Sequence, residues 1–189
     1  MARPFYEDKA FGKNTELPDP GGEFLRCHFE GVDFSRFHFD GPEFSYCLFS
    51  QCDLSMAVLD NAVMQETRFV GCKMTGIDFG KCSRFAFDLH AEDSLLDYAV
   101  FSGNNLSRSS LRGCRLREAT FTECNLSGLC FEDCDLERAV FERCDLQGAD
   151  FRSALHYAIR PELNRLRKAR FSYPGVLGLL THLDIRLDP

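Results

Sequence analysis

Residues 96–154 read LDYAV FSGNN LSRSS LRGCR LREAT FTECN LSGLC FEDCD LERAV FERCD LQGAD FRSA when they are divided into groups of five. The first residue of every group is Leu or Phe, and the residue two places before it is usually small. A period of five fits neither the 3.6 residues of a helical turn nor the two of a plain strand. It fits a short extended piece followed by a corner, so that four pieces make a four-sided coil of about 20 residues around a filled interior.

Charged residues support this coil length. Residues 20 apart would lie on neighbouring strands about 4.8 Å apart, where opposite charges stabilise the pairing. Five pairs of opposite charge have the required spacing: Arg112 with Glu132, Arg115 with Asp135, Arg117 with Glu137, Glu118 with Arg138, and Glu123 with Arg143.

An earlier run of the same kind extends from Phe24 to Phe79, and it too has an apolar residue at every fifth position. The register then breaks. Arg84 falls where an apolar residue should be, Leu89 restores the phase, and Leu96 follows seven residues later. Two extra residues therefore lie between about residues 85 and 95.

The segment around this register break, about residues 84–95, is a candidate contact surface, because insertions in solenoids form loops or bulges on one face. Its candidate residues combine aromatic with acidic side chains: Phe85, Phe87, Glu92 and Asp93. A tolerated bulge without a role is an equally good interpretation.

Three parts are predicted along the chain. Residues 1–23 contain three Pro and a Gly pair and are expected to form an irregular cap, whereas residues 24–171 form the solenoid. Residues 172–189 are expected to form a short α-helix and a tail, because Ser172 and Pro174 are helix-start signals. The apolar residues of this part predict either a two-fold self-contact or simple capping of the last coil: Val176, Leu177, Leu179, Leu180, Leu183 and Ile185.

Charge is distributed unevenly along the chain, whose formal net charge is −7. Residues 24–151 contain 21 acidic and 12 basic side chains, whereas residues 152–189 contain three acidic and seven basic ones. Nucleic-acid binding requires a basic surface. The acidic repeat region is therefore not expected to bind nucleic acid directly, but it could attract a protein that does.

The ten cysteines also follow the repeat. All except Cys130 occupy the small inward position, where a free cysteine behaves as a small hydrophobic residue. No Cys-x-x-Cys spacing indicates a metal site. Since the sequence shows neither a signal peptide nor an apolar run of about 20 residues, we expect a reduced cytoplasmic protein without a membrane span.

The sequence predicts no catalytic site, no metal and no cofactor. His28 and His38 occupy equivalent outward positions on opposite faces and cannot share a metal ion. No glycine-rich phosphate loop or nucleophile elbow is present. A convex rod also lacks the concave pocket of most enzymes, so a non-enzymatic protein is expected.

The repeat resembles the pentapeptide-repeat family, whose consensus is Ala-(Asp/Asn)-Leu-x-x. Matching segments include Cys134-Asp135-Leu136, Cys144-Asp145-Leu146 and Ala149-Asp150-Phe151. The resemblance implies an all-β fold, a right-handed quadrilateral β-helix, here followed by the short C-terminal α-helix.

The end of the chain resembles one branch of that family, the bacterial topoisomerase-protection proteins, which comprise Qnr-type quinolone-resistance proteins and the microcin and albicidin immunity proteins. The likeness is carried by Asn164, residues 168–172 (Lys-Ala-Arg-Phe-Ser), Pro174, Leu179-Leu180 and residues 183–185. It implies a homodimer that mimics DNA, binds DNA gyrase or topoisomerase IV, and protects the enzyme from quinolones or peptide toxins. Qnr-type members often carry two long loops, whereas this chain has only the two-residue irregularity.

Acidic residues without an evident partner are the candidate contacts for such an enzyme. Asp33 is predicted to stack over Asp53 and Asp40 over Asp60, and such like-charge stacking would be relieved by a partner's cations. The other candidates lie near the expected dimer end: Glu142, Asp145 and Asp150. The alternative function is a non-enzymatic scaffold or regulator that binds a different protein.

Overall fold

The computed structural model describes residues 3–183 and 185–186. The chain winds as a four-sided solenoid in which short strands alternate with corners. The strands are β1 Phe5–Glu7, β2 Ala10–Gly12, β3 Glu23–Leu25, β4 His28–Glu30, β5 Glu43–Ser45, β6 Leu48–Ser50, β7 Val63–Gln65, β8 Thr67–Val70, β9 Leu89–Glu92, β10 Val100–Ser102, β11 Ser110–Arg112, β12 Thr120–Thr122, β13 Phe131–Glu132 and β14 Val140–Glu142. The described helices are short 3-10 turns: Phe79–Lys81, Pro161–Leu163 and Gly175–Leu179.

Parallel pairing between successive coils creates four faces, which the chain visits in the order 1, 2, 3, 4. Face 1 begins with the sheet β1-β3-β5-β7, and face 2 is the sheet β2-β4-β6-β8-β9-β11-β13. Face 4 begins with the bridge between His38 and Val58 and ends with the sheet β10-β12-β14. Isolated bridges hold face 3 and the second half of face 1. They link Asp33, Asp53, Lys73, Leu95, Arg115, Asp135 and Leu155 on face 3, and Asn105, Asn125, Asp145 and Arg165 on face 1.

The apolar residue of each group of five points inward, and identical positions of successive coils stack. Phe101 pairs with Phe121, and Phe121 with Phe141, so four groups of five close one coil here, as predicted. Their rings stack with centroids 4.8 and 4.9 Å apart. Each buried Phe contributes about 1.5–3 kcal/mol of hydrophobic stabilisation, so these inner columns supply much of the stability of the rod.

At many of the small inward positions the side chain also donates a hydrogen bond to a backbone carbonyl. Cys47 Sγ donates to the carbonyl of Phe24, 3.3 Å away, and contacts that of Ser45 at 3.5 Å. Thr67 Oγ1 and Asn104 Nδ2 donate to carbonyls in the same way. A buried carbonyl without a partner is costly, which favours a small donor at these positions, whereas Ala fills others, such as Ala99, Ala119 and Ala139.

Most corners are formed by the second residue after the inward one, and that residue has a positive φ. Gly occupies several of these corners, including Gly76 at φ 71°, but Met56 and Tyr98 adopt the same conformation at φ 59°. Only Gly adopts this left-handed region without a steric cost. The coil therefore imposes its corner geometry on whichever residue the sequence supplies.

The solenoid begins earlier than the sequence predicts. Strands β1 and β2 pair with β3 and β4, and Tyr6 and Phe11 stack on Phe24 and Phe29 with ring centroids 5.0 and 4.9 Å apart. Within residues 3–23 of the predicted irregular cap, residues 13–22 are the one long stretch without a strand. Phe5 pairs with Glu23, an offset two residues shorter than that of a regular coil, which hides the period of five. Residues 1 and 2 of the predicted cap lie outside the described residues.

The C-terminal segment also differs from the prediction, because Gly175–Leu179 forms a 3-10 helix where an α-helix was expected. Two of its five residues, Gly175 and Gly178, have low helix propensity, and a helix this short gains little from cooperativity. The Gly178 carbonyl accepts a hydrogen bond from Ile159 at 3.1 Å, which ties the segment to the last coil. Residues 184 and 187–189 of the predicted tail lie outside the described residues.

The two extra residues lie between Ser83 and Asp88. Ser83 N still pairs with the carbonyl of Ala62, but Asp88 N pairs with that of Met64. Thr67 then pairs with Leu89, so this one coil exceeds the regular length by the two inserted residues. Among the described helices none has the length and apolar character to cross a membrane.

Candidate partner-binding surfaces

The seven predicted acidic contacts are distributed over all four faces. Asp33 pairs with Asp53 on face 3, as expected for one coil of separation. Asp40 and Asp60 lie one coil apart on face 4, where Glu142 is also found in β14. The two remaining residues lie elsewhere, Asp145 on face 1 and Asp150 on face 2. The candidates therefore do not form one continuous site.

The expectation that these acids are unpaired is wrong for four of them. Lys73 lies 3.4 Å from Asp53, and Lys81 lies 4.0 Å from Asp60. Near the other end, Arg165 lies 3.3 Å from Asp145, and Arg152 and Arg170 lie 2.7 and 3.3 Å from Asp150. The basic residues come mostly from the following coil, so the basic tail neutralises the last acids of the rod. Within the described residues, the carboxylates of Asp33, Asp40 and Glu142 make no ion pair within 4.0 Å.

Local hydrogen bonds favour the ionised form of several of these carboxyl groups. The Arg152 guanidinium lowers the pKa of Asp150 below its usual value. Partial burial acts to raise the pKa of Asp53, but hydrogen bonds from Ser55 and the charge of Lys73 outweigh it and lower the pKa overall. Hydrogen bonds from Ser35 likewise lower the pKa of Asp33. These groups are negatively charged at neutral pH.

Four of the five ion pairs predicted from the 20-residue spacing form in the structure, with N to O distances of 3.0–3.6 Å. The exception is Arg115, whose Nε donates to Asp97 at 2.7 Å, on the preceding coil. Asp135 is bound instead by Arg117. Arginine side chains are long enough to lean toward either neighbouring coil, so the spacing alone does not fix the partner.

The sequence reasoning missed two buried carboxylates. Asp97 is 7% exposed and accepts hydrogen bonds from Arg115 and from the Arg117 amide. Asp88 is 3% exposed and lies 2.8 Å from Arg108. The 20-residue spacing was a signal for both, because Asp88 and Arg108 are 20 residues apart, as are Asp97 and Arg117. The burial of the two carboxylates beside the insertion is what the spacing did not predict.

The four residues proposed around the register break do not share one surface. The Phe85 side chain is 77% exposed, whereas Phe87 is 4% exposed and contacts Phe79 in the core. Glu92 lies in β9 on face 2 and pairs with Arg112, and Asp93 occupies the next corner. The insertion lies before Glu92, which is why only Phe85 is presented by the bulge.

Of the six apolar residues proposed for dimerisation, three are partly buried and three are exposed. Leu179 packs against the core, and Val176 and Leu180 are half-buried. Leu177, Leu183 and Ile185 are exposed. Leu155 and Tyr173, which the sequence analysis did not single out, are also exposed at this end. An apolar surface therefore remains uncovered beside the last coil.

Other chemical groups on the rod are sparse. The described residues contain no cluster of three or more His, Cys, Asp or Glu side chains suited to a metal ion. A shallow depression of about 300 Å³ on face 2 brings His90 Nδ1 to 2.9 Å from Ser110 Oγ and His90 Nε2 to 3.5 Å from Glu66. Strands β9 and β11 use their backbone in the parallel ladder at this point. They therefore offer no free N–H pair to stabilise an oxyanion.

Solved structures that share this fold include those of QnrB1 and HetL. QnrB1, a plasmid-mediated fluoroquinolone resistance protein, matches in a trypsin-treated form with a TM-score of 0.67 and 20% identity over 98% of both chains. Full-length QnrB1 matches with a TM-score of 0.58 and 19% identity over 96% of this chain and 100% of QnrB1. HetL from the cyanobacterium Nostoc sp. strain PCC 7120, a pentapeptide-repeat protein involved in heterocyst differentiation regulation, matches with a TM-score of 0.54 and 16% identity over 90% of this chain and 87% of HetL.

Comparison with curated proteins gives no sequence match. Two family models match the chain directly. The pentapeptide repeat region model matches residues 96–171, and the eight-copy pentapeptide repeats model matches residues 43–80. Together they span more than half of the chain and coincide with the coils on either side of the register break. On this evidence the protein is a member of the pentapeptide-repeat family.

Proposed function

We propose that this protein mimics DNA, binds DNA gyrase or topoisomerase IV as a homodimer in the cytoplasm, and protects the enzyme from quinolones or peptide poisons. The observation that carries the proposal is the correspondence with QnrB1 along nearly the whole length of both chains. Since that correspondence concerns the fold, the charge of the rod has to supply the recognition.

The charge density of the rod is compatible with mimicry. Residues 24–151 carry a net charge of −9, and their coils extend for about 30 Å at about 4.8 Å per coil. The rod thus carries about one net negative charge per 3–4 Å, roughly half the density of B-DNA, which has one per 1.7 Å. Such a rod competes with DNA for a basic groove at moderate salt and dissociates from that groove as the salt concentration rises.

The proposal includes a non-enzymatic mode of action. A protecting protein needs only to occupy the groove or to remodel the poisoned complex, and the solenoid offers a convex surface for that purpose. The exposed apolar residues at the C-terminal end are the proposed dimer contact, which would double the length of the rod. A scaffold for a different partner remains the rival function.

The test is an assay of gyrase supercoiling and topoisomerase IV decatenation, with and without a fluoroquinolone or a peptide poison. We expect added protein to restore activity in the poisoned reaction, and the effect to weaken as salt is raised. A triple variant, Asp33→Asn/Asp40→Asn/Glu142→Gln, should protect less well. The matched control, Glu118→Gln/Glu123→Gln/Glu132→Gln, removes the same charge from residues already engaged in ion pairs. Absence of any effect on either enzyme at micromolar protein would favour the rival function.

A further inference from the structure

Exposed apolar side chains in the middle of the rod are concentrated along one face. Away from the two ends, the large exposed apolar residues among those described are Tyr46, Met56, Phe85, Tyr98 and Val140. Three of them, Met56, Tyr98 and Val140, lie on face 4 or at its edge, whereas Tyr46 and Phe85 do not. Soluble proteins seldom cluster such residues on a surface without a binding role.

One edge of face 4 is formed by Met56 and Tyr98, each 56% exposed. They occupy equivalent corners separated by Gly76, and Met56 lies across the bare Gly76 backbone, where a Cβ atom would collide with its Sδ. Both residues adopt the left-handed conformation, which costs a bulky side chain about 1–2 kcal/mol. Corner residues along the rod share this conformation, so the argument for a role in recognition rests on the exposure of two large apolar side chains along one edge.

Phe85 is the most exposed large apolar side chain in the middle of the rod, at 77%, but it lies on another face. It belongs to the bulge between Ser83 and Asp88, whose amides pair with the carbonyls of Ala62 and Met64 on face 1.

The surface of face 4 combines β-branched and acidic side chains. Val100, Thr120 and Val140 form one outward column of the sheet β10-β12-β14. In the preceding coils, the side chains of Asp60 and Asp78 are 51% and 40% exposed, and each lies 4.0 Å from the single Lys81. The single positive charge of Lys81 is thus shared by two carboxylates, so the three side chains together keep a net negative charge.

We propose that face 4, bordered by Met56 and Tyr98 at its corner with face 3, is the surface that docks onto the protein partner. The complementary chemistry is a basic surface that carries apolar side chains. Cations of the partner approach Asp60 and Asp78, while its apolar groups pack against Met56, Tyr98 and Val140. A nucleic acid does not fit, because its phosphates would face these carboxylates, and a second copy would oppose the same charges. The identity of the partner as a topoisomerase rests on the function proposed above.

Two tyrosines provide a matched test. Tyr98 and Tyr46 are both 56% exposed at left-handed corners, with φ of 59° and 56°, but only Tyr98 borders face 4. Asn tolerates this backbone conformation, so Tyr98→Asn and Tyr46→Asn should both fold. We expect Tyr98→Asn to weaken binding to gyrase or topoisomerase IV about tenfold, as for an aromatic interface anchor, and Tyr46→Asn to leave it unchanged. Equal affinities of the two variants would overturn the proposal.

A methyl NMR experiment locates the contact independently. With methionine methyl groups labelled, Met56 is an exposed reporter, whereas Met64 and Met74 are fully buried and act as internal references. We expect added enzyme to broaden or shift the methyl signal of Met56 and to leave the signals of Met64 and Met74 unchanged. Binding without a change at Met56 would overturn face 4 as the docking surface, because another face of the rod would then make the contact. It would leave the proposal of DNA mimicry unaffected.

A third arm separates this inference from the proposed function. If neither topoisomerase binds, the proposed function fails, and a peptide of alternating Lys and Phe residues then serves as the probe. A salt-sensitive shift of Met56 that is lost in Tyr98→Asn, but kept in Tyr46→Asn, would support face 4 as a basic-apolar docking surface. A peptide that leaves Met56 unchanged would refute it.

Discussion

The coils before and after the register break use the same backbone but are stabilised in different ways. In residues 24–39 four successive inward residues are Phe, and their rings touch across adjacent faces with centroids 5.3–5.8 Å apart. In residues 96–151 Leu separates most of the Phe residues, and opposite charges form ladders along the outside. A solenoid can therefore gain stability from aromatic packing inside or from ion pairs outside.

This difference determines which charges are available to a partner. After the break, most acids already contact an Arg of a neighbouring coil. Before the break, basic residues are fewer, and Asp33 and Asp40 make no ion pair within the described residues. After the break, Asp93, Asp133 and Glu142 also make no ion pair within the described residues, so both halves of the rod offer free carboxylates to a partner.

The largest expected effect comes from breaking the aromatic half. Phe49→Ala removes a ring that stacks on Phe29 and Phe69 with centroids 4.4 and 4.8 Å away. We expect a loss of about 3–5 kcal/mol in the free energy of unfolding measured in urea. Leu126→Ala is the counterpart in the second half, with an expected loss of about 2–3 kcal/mol, at the lower end of the range for Leu. Greater damage from the Leu variant would contradict the distinction between the two halves.

The next effect concerns buried charge in the second half. Asp97→Asn leaves Arg115 without its carboxylate, and we expect a loss of about 1.5–3 kcal/mol. Asp33→Asn, at an exposed carboxylate of the first half, should change the free energy by less than about 0.5 kcal/mol. Urea unfolding of both variants measures the contrast, and similar losses would show that ion pairing does not separate the halves.

Acid sensitivity should also follow the pairing of charges. Arg152 lowers the pKa of Asp150 in the folded state, so ionisation of this group stabilises the fold above its unfolded pKa of about 3.9. That stability is lost as pH falls through the lowered folded pKa. We expect the wild type to exceed Asp150→Asn in stability by a constant amount above about pH 5, and the difference to shrink below about pH 4. Urea titrations across this pH range measure the difference in unfolding free energy. A difference that remains unchanged at pH 2 would show that ionisation of Asp150 is not its cause.

The smallest effect is expected on the exposed ladder. Arg143→Glu places two acids side by side with Glu123, whose carboxylate lies 3.0 Å from Arg143 in the wild type. We expect a cost of about 0.5–1 kcal/mol at low salt and less in 1 M NaCl, because both side chains are exposed. The double reversal Glu123→Arg/Arg143→Glu should recover the loss, and failure to do so would assign the cost to packing.

The period of five was sufficient to predict the four-sided fold, the inward residues and most of the ion ladder, because each rests on a local repeat. The N-terminal coil was missed because Phe5 pairs with Glu23, and this shortened offset breaks the repeat. The candidate site was predicted less well. Lys73 and Lys81 pair with acids that looked unpaired, and Phe87 turns inward while Phe85 turns outward. Those outcomes depend on side-chain reach and on the position of the insertion, which a spacing rule does not contain.

The sequence by itself determined that this chain winds into a filled, acidic rod, since large apolar residues at every fifth position can be buried together only in that way. Only the tertiary structure decided where the two extra residues bulge and which carboxylates remain free. It also decided that Met56 and Tyr98 expose their side chains along one edge of face 4. The physical reason is that burial follows from each residue's position in the repeat, whereas surface contacts depend on which coils lie side by side.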